Sequence, residues 1–369
     1  MRRFTYAVIK FPVDEIVIIL LACLGHNSCL AQISTKQSIE FINQVEKFEN
    51  NGNYNGAIEL LKEACIKDSN NIDYLYELGN AYYLKEDYTL ALEQFRKTLT
   101  SNNVTDECYQ MLGNTYDELG DTINCLKAYD NGLRKFPKSG KLYLEEGNYH
   151  FNRKRYTTAL AYYEEGIRLE PEFPSNYYWA SILYCSSQES VWGMLYGEIF
   201  INLERNSERT PEISNLLFDT YKREITIDSK GAKVDFTRDN TINITNSNSK
   251  HVKMPFGIGV YDPLMLMAIA GNKVLDINTL DKIRTKFAEL YYGRNLDTKY
   301  PNALFSYQNY ILKAGHMEAY NHWVLMQGDP DGFRKWRDSN KEKWNNFMQW
   351  FKEHPIPISD SNKFYSYQY

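Results

Sequence analysis

The chain repeats itself every 34 residues, and this period limits its fold more than any other feature. Gly79, Gly113 and Gly147 form one column, and Ala57, Ala91, Cys125 and Ala159 form a second in the same register. Around them recur Leu75, Leu78, Tyr82, Tyr88 and Phe95, then Tyr109, Leu112, Tyr116, Gly120, Asp121, Tyr129 and Pro137, then Tyr143, Tyr156, Tyr163, Gly166 and Pro171. A small residue in each of two successive helices lets their backbones approach, and the aromatic residues fill the ridges on either side. Pro137 and Pro171 stop the second helix, because proline cannot donate the next backbone bond.

These columns resemble the tetratricopeptide repeat over four full units, 38–71, 72–105, 106–139 and 140–173. The first unit departs from the pattern, with Val45 in the glycine column and Gln44 in the leucine column. A degenerate fifth unit is expected at 174–205, where Tyr177 and Tyr184 keep register, Gly193 takes the small position and Gly197 stands where an aromatic is usual. Thr210-Pro211-Glu212 then opens a capping helix within 206–223, with Ile213, Leu216, Leu217 and Tyr221 on one face. The fold class expected is mainly α: an α-solenoid of repeats followed by a helical carboxy-terminal half that holds a small antiparallel β meander.

The meander is expected at 224–259. There the period turns to alternation through Ile225 and Ile227, Val234 and Phe236, and Ile242 and Ile244, with turns at Asp228-Ser229-Lys230-Gly231 and Arg238-Asp239-Asn240. An aromatic-rich helical region follows at 260–354. Its helices open at Asp262-Pro263 and Asn278-Thr279, two more fill Pro301 to Gly315 and His316 to Gly328, and a last one runs from Asp329-Pro330 through Phe333, Trp336, Trp344, Phe347 and Phe351. Residues 355–369 form a tail. Repeats followed by an aromatic-rich half resemble uncharacterised exported proteins of Bacteroidota.

Export is expected from the amino terminus. Arg2, Arg3 and Lys10 precede an apolar run from Ile16 to Leu24, and small residues at Cys29 and Ala31 offer cleavage before Gln32, making 1–31 a signal peptide. Leu20-Leu21-Ala22-Cys23 offers an alternative, a lipoprotein carrying its lipid on Cys23, and membrane contact is expected only in that case. The expected location is periplasmic or attached to the cell envelope. Removing 1–31 changes the net charge from −5 to −6, so no basic field is available for a phosphate backbone and nucleic acid is an unsuitable partner. Cys65, Cys108, Cys125 and Cys185 lack CxxC spacing and read as packed thiols.

Motifs of catalysis are missing: the sequence has no phosphate-cradling glycine loop, GxSxG, HExxH or paired CxxC. His316, Glu318 and His322 converge poorly for a metal, since the two histidines sit about 120° apart around a helix. No cofactor is expected. Trp336, Trp344 and Phe347 fit either a core stripe or an aromatic platform for sugar rings.

Asn80, Asn114 and Asn148 recur one residue after each repeat glycine. The resemblance places them on a concave groove, where family members use an Asn amide to hydrogen-bond the backbone of an extended peptide. The other reading is that these amides only cap or hydrate the groove. Neighbouring groove positions in the same register are Asp73, Tyr76 and Tyr83, then Gln110, Asp117 and Glu118, then Leu144 and Phe151, then Tyr178. Leu84, Glu118 and Asn152 stand where relatives that clamp a chaperone's terminal carboxylate carry a lysine, which disfavours that ligand. The expected function is an exported protein-interaction scaffold, non-enzymatic, holding an extended peptide or partner loop. The alternatives are a glycan-associated envelope protein and a hydrolase sited in the carboxy-terminal half.

Overall fold

The structure, a computed structural model, describes residues 40–229, 231–238 and 255–368. The expected signal peptide, with Cys23 and Ala31, lies outside these residues, as does the expected strand through Ile242 and Ile244. The described chain forms two compact units that divide after Asp87, between the two helices of the second repeat.

The first unit carries α1 (40–50), α2 (Tyr54–Lys67) and α3 (Ile72–Leu84). Val45, Ala57, Leu61, Leu75 and Leu78 are buried along its helix interfaces, and Phe41 meets Tyr74 with ring centroids 5.1 Å apart. Side chains cap the helix starts: Asn53 accepts from Gly56 N–H and Asn71 from Asp73 and Tyr74 N–H.

The second unit continues the helix pairs with α4 (Tyr88–Thr98), α5 (Asp106–Glu118), α6 (Thr122–Lys135), α7 (Gly140–Asn152), α8 (Tyr156–Leu169), α9 (Pro174–Cys185), α10 (Ser190–Leu203) and α11 (Thr210–Glu224). The glycine column follows from ring packing. A Cβ on Gly113 would lie 2.1 Å from Tyr129 Cε1, and one on Gly147 would lie 2.2 Å from Tyr163 Cε1. Ala91, Cys125 and Ala159 are fully buried in the matching column of the second helices. Gly197 fits the fifth pair for a similar reason: a Cβ there would lie 2.6 Å from Ser181 Oγ and 3.0 Å from Leu217 Cδ2. The turn inside each of the first four pairs has a left-handed residue at one position, filled in register by Gly52 (φ 71), Glu86 (φ 67), Gly120 (φ 75) and Lys154 (φ 60).

After α11 the chain forms a hairpin, β1 (Ile225–Asp228) antiparallel to β2 (Gly231–Val234), with Ile225 opposite Val234. Phe236 is fully buried, and Thr237 bridges to Glu189 beside α10. The remaining helices are α12 (Asp262–Ile269), entered through a π turn at Gly257–Tyr261, then α13 (Ile277–Gly293), α14 (Leu296–Lys299), α15 (Ala303–Lys313), α16 (Met317–Leu325), α17 (Pro330–Ser339) and α18 (Lys341–Glu353).

Two expectations are corrected here. The helix expected at Asn278-Thr279 begins earlier, because Asp276 caps it by accepting from Thr279 N–H. The single helix expected from Asp329 is two, broken at Asn340, whose Nδ2 donates to Trp336 O at 2.8 Å. The break lets Trp344 turn edge-on to Phe333 (5.2 Å) and Trp336 (6.2 Å).

The carboxy-terminal half packs directly on the repeats of this unit. Arg284 of α13 pairs with Glu198 of α10 at 2.7 and 2.9 Å, both side chains being about 5% exposed or less. Gln308 and Tyr320 also donate to Glu198, and Asn321 accepts from Arg284. Glu198, Arg284 and Gln308 border a cavity of about 20 Å³, room for one water molecule.

Candidate functional site

The expected groove positions lie on the first helices of the repeats, and a step of about one repeat links each such helix to the next in the second unit. Ser139 Oγ donates to Asp106 at 2.5 Å, Gln110 Nε2 to Glu145 at 2.6 Å and Arg153 to Asp117 at 2.9 Å, joining α5 to α7. Asn176 Nδ2 donates to Gly140 O at 2.9 Å, joining α7 to α9. Tyr178 OH donates to Glu212 at 2.7 Å and Arg209 to Ser175 at 3.1 Å, joining α9 to the start of α11.

Glu145 is the hub of this ladder. It is buried, which pushes its carboxyl up from the usual range, while bonds from Gln110, Asn148 and Asn114 pull the other way. The amides of Asn114 and Asn148 therefore hold an internal carboxylate. Their oxygens are also engaged: Asn114 Oδ1 accepts from Tyr129 OH at 2.5 Å, and Asn148 Oδ1 from Tyr163 OH at 2.9 Å. The peptide-backbone reading is thus corrected at Asn148, which is only 6% exposed and has its oxygen taken, and at Asn114, where both ends of the amide have internal partners. Tyr178 is corrected too, being buried with its hydroxyl on Glu212. Asn80, Tyr76 and Tyr83 are half-buried on α3 in the first unit.

Around the turn from α7 to α8 the surface is partly aromatic. Phe151 at the end of α7 is half-buried, 4.9 Å from the ring of Trp179 on α9 and 5.5 Å from that of Tyr156, which opens α8 and is 47% exposed. Beside them Arg153 lies over Tyr149 at 3.6 Å while reaching Asp117. Leu119 and Ile123, at the turn between α5 and α6, are exposed. Sequence reasoning picked out Phe151 but missed Tyr156, Trp179 and Glu145. Glu145 could have been found from its spacing, since it follows Gln110 by about one repeat and both sit on first helices.

The cysteines among the described residues are free thiols. Burial pushes Cys125 up to about 12 and Cys185 up to about 11, which makes them packing groups rather than nucleophiles. His322 is buried with Nδ1 on Glu318 O and Nε2 on Asn278, and it stacks 4.0 Å from Trp336. Among the described residues no three His, Cys, Asp or Glu side chains are placed to hold a metal ion.

The platform of Trp336, Trp344 and Phe347 is corrected to core. Trp336 and Phe347 are buried, and the two indoles meet at 87°, so they offer no flat face to a sugar ring. An open groove of about 410 Å³ runs along α13, lined in part by Asp281, Lys282, Lys286, Glu289 and Glu318. Its charges are mixed, and Asp281 is tied to Asn321.

Residues 50–86 match the family model described as TPR repeat, and residues 111–176 match the tetratricopeptide repeat model. The chain carries tetratricopeptide repeats. Outside the repeats neither model matches. Among curated proteins, the chain is 23% identical over 154 residues to Hsp70-Hsp90 organizing protein 3 of Arabidopsis thaliana, covering 41% of this chain and 27% of that one. It is also 23% identical over 154 residues to the Hsp70-Hsp90 organizing protein of Triticum aestivum, with 41% and 26% covered. The match therefore spans about a quarter of those relatives. Among solved structures it is similar to a tetratricopeptide-repeat protein of Thermus thermophilus, at 16% identity, 48% and 97% coverage and a TM-score of 0.41. The C-terminal part of a repeat-containing protein from Cytophaga hutchinsonii matches at 15% identity, 78% and 95% coverage and a TM-score of 0.40.

Proposed function

We propose that this chain is a protein-interaction scaffold that holds an extended peptide or a partner's loop on the first-helix row of its tetratricopeptide repeats. The observation that carries this reading is the cluster of Phe151, Tyr156 and Trp179, three rings in contact on successive helices with Tyr156 about half exposed. Aromatic anchors of this kind bury much area at little entropic cost and are the residues on which peptide interfaces concentrate their energy. The similarity to Hsp70-Hsp90 organizing proteins supports a protein partner. It does not extend to a chaperone's terminal carboxylate, because Leu84, Glu118 and Asn152 replace the lysine of the clamp and all three are exposed.

With the amides of Gln110, Asn114 and Asn148 bound to Glu145, the partner is read by its apolar side chains more than by its backbone. Glu198 of α10, the buried carboxylate that faces the carboxy-terminal helices, is ion-paired with Arg284 of α13, which favours a scaffold over a hydrolase. We also propose that the protein is exported. Mass spectrometry of the mature amino terminus tests this: Gln32 or an acylated Cys23 as first residue supports export, and an intact Met1 overturns it. The peptide-binding reading is tested by crosslinking from position 156, developed in the Discussion.

A further inference from the structure

The carboxy-terminal segment after Glu353 lies across the repeats as an irregular strap with a turn at its centre and one 3-10 turn at Ser366–Gln368. Ile356 and Ile358 are buried at one end, and Phe364 is fully buried at the other, 5.5 Å from the ring of Trp192 on α10. Between them Pro357, Asp360, Ser361 and Asn362 are exposed, and the Asp360 link to Lys138 is a surface ion pair with both side chains more than half exposed. The segment's backbone bonds at Ile358 to Ile356, Asn362 to Ser359 and Gln368 to Tyr365 are local. Side chains, not a strand or helix pairing, hold it in place.

The surface beneath the far end is a built polar site. Glu164 of α8 is buried and accepts from Tyr196 OH at 2.8 Å. That hydroxyl in turn accepts from Ser366 N–H at 2.8 Å, while Tyr184 OH of α9 donates to Ser366 Oγ at 3.1 Å. Tyr367 OH reaches Glu165 at 3.1 Å. One short stretch is thus read residue by residue: a ring into the Trp192 pocket, a small hydroxyl residue against two buried tyrosines, and a phenol on a carboxylate. A tyrosine hydroxyl that accepts from main chain, backed by a buried carboxylate, suits any segment that can present the same groups.

We propose that the face built by α8, α9 and α10 is a recognition site for a short peptide of the type Phe-x-Ser-Tyr, occupied in this structure by the chain's own Phe364 to Tyr367, and that a partner carrying such a segment displaces it. A ligand competing with a tethered occupant binds more weakly in proportion to the fraction of time the site is open. Loosening the tether's anchor therefore strengthens binding from solution.

The test uses the full chain and a fluorescent synthetic peptide of residues 355–369. Phe364→Ala in the protein is expected to raise its affinity for the wild-type peptide at least tenfold over that of the unmodified protein, and a peptide carrying the same Phe-to-Ala change is expected not to bind. A folded Phe364→Ala protein that ignores the peptide overturns the proposal. Should that variant lose its helical circular dichroism, hydrogen exchange of the unmodified protein decides. Ser366 N–H exchanging by local opening, far faster than the amides of α10, supports a displaceable segment. Ser366 protected as strongly as α10 shows that it leaves only on global unfolding and overturns it.

Discussion

Glu145 gives Asn114 and Asn148 of the asparagine column an internal role. Three amides converge on one buried carboxylate, so its loss strands the donor of buried Asn148 and unpairs those of half-buried Gln110 and Asn114. Glu145→Ala is expected to cost about 1–3 kcal/mol in urea unfolding, and Glu145→Gln less, because one acceptor oxygen remains. A neutral Ala variant would show that the amides are solvated instead. Two other carboxyls make stability depend on pH. Burial, chiefly, pushes Glu146 up to about 7, with Asp130 adding to the shift, and burial likewise pushes Asp262 up to about 7. Each binds its proton more tightly folded than unfolded, so each favours the fold at low pH and loses that contribution as pH rises through about 7, from about 4.5 for Glu146 and about 3.8 for Asp262. Glu146→Gln, which stays neutral, is therefore expected to gain in urea midpoint relative to the unmodified protein at pH 8 but not at pH 5. An equal difference at both values would contradict the shift. The column itself was legible from the period, but its burial was not. That depends on Tyr129 and Tyr163 reaching back from the second helices, and spacing alone does not say which way a tyrosine points.

At the level of helices, sequence and structure agree where small residues, caps and prolines are explicit, as at Gly113, Gly147, Asn71 and Asp121. They diverge where an ordinary residue adopts a special conformation. Gly52 and Gly120 announce the left-handed turn between paired helices, yet Glu86 and Lys154 fill the same position at φ 67 and 60 with no sequence signal. Such a residue with a Cβ is strained by about 1–2 kcal/mol. Lys154→Gly is expected to raise stability by about 1 kcal/mol, read as a higher urea midpoint at unchanged slope. A loss of stability would mean that the lysine side chain contributes more than the turn costs. Asn340 misled in the opposite direction. Aromatic spacing on both sides suggested one helix, and only the Asn340 side-chain bond to Trp336 O reveals the break.

On the scale of the whole molecule, residues 88–369 form one compact unit in which repeats and carboxy-terminal helices share a core. The sequence divides them, because period and composition change near Glu224, and nothing in either half foretells that Arg284 will find Glu198. Removing one partner of a buried ion pair leaves an uncompensated charge and costs about 3–5 kcal/mol. Arg284→Met is expected to lose that much, with probes on α8 and on α17 reporting the same transition. Two separated transitions would mean that the halves are independent.

The account as a whole rests on the aromatic row being where a partner lies, and a photocrosslinking amino acid in place of exposed Tyr156 tests this most directly. In the native host cell it is expected to capture one extended segment of a partner protein. Phe151→Ala should reduce that capture at least tenfold, whereas the same probe at Lys282, beside the groove on α13, should capture little. Capture at position 282 with none at 156 would contradict the account and move the binding surface to the carboxy-terminal half.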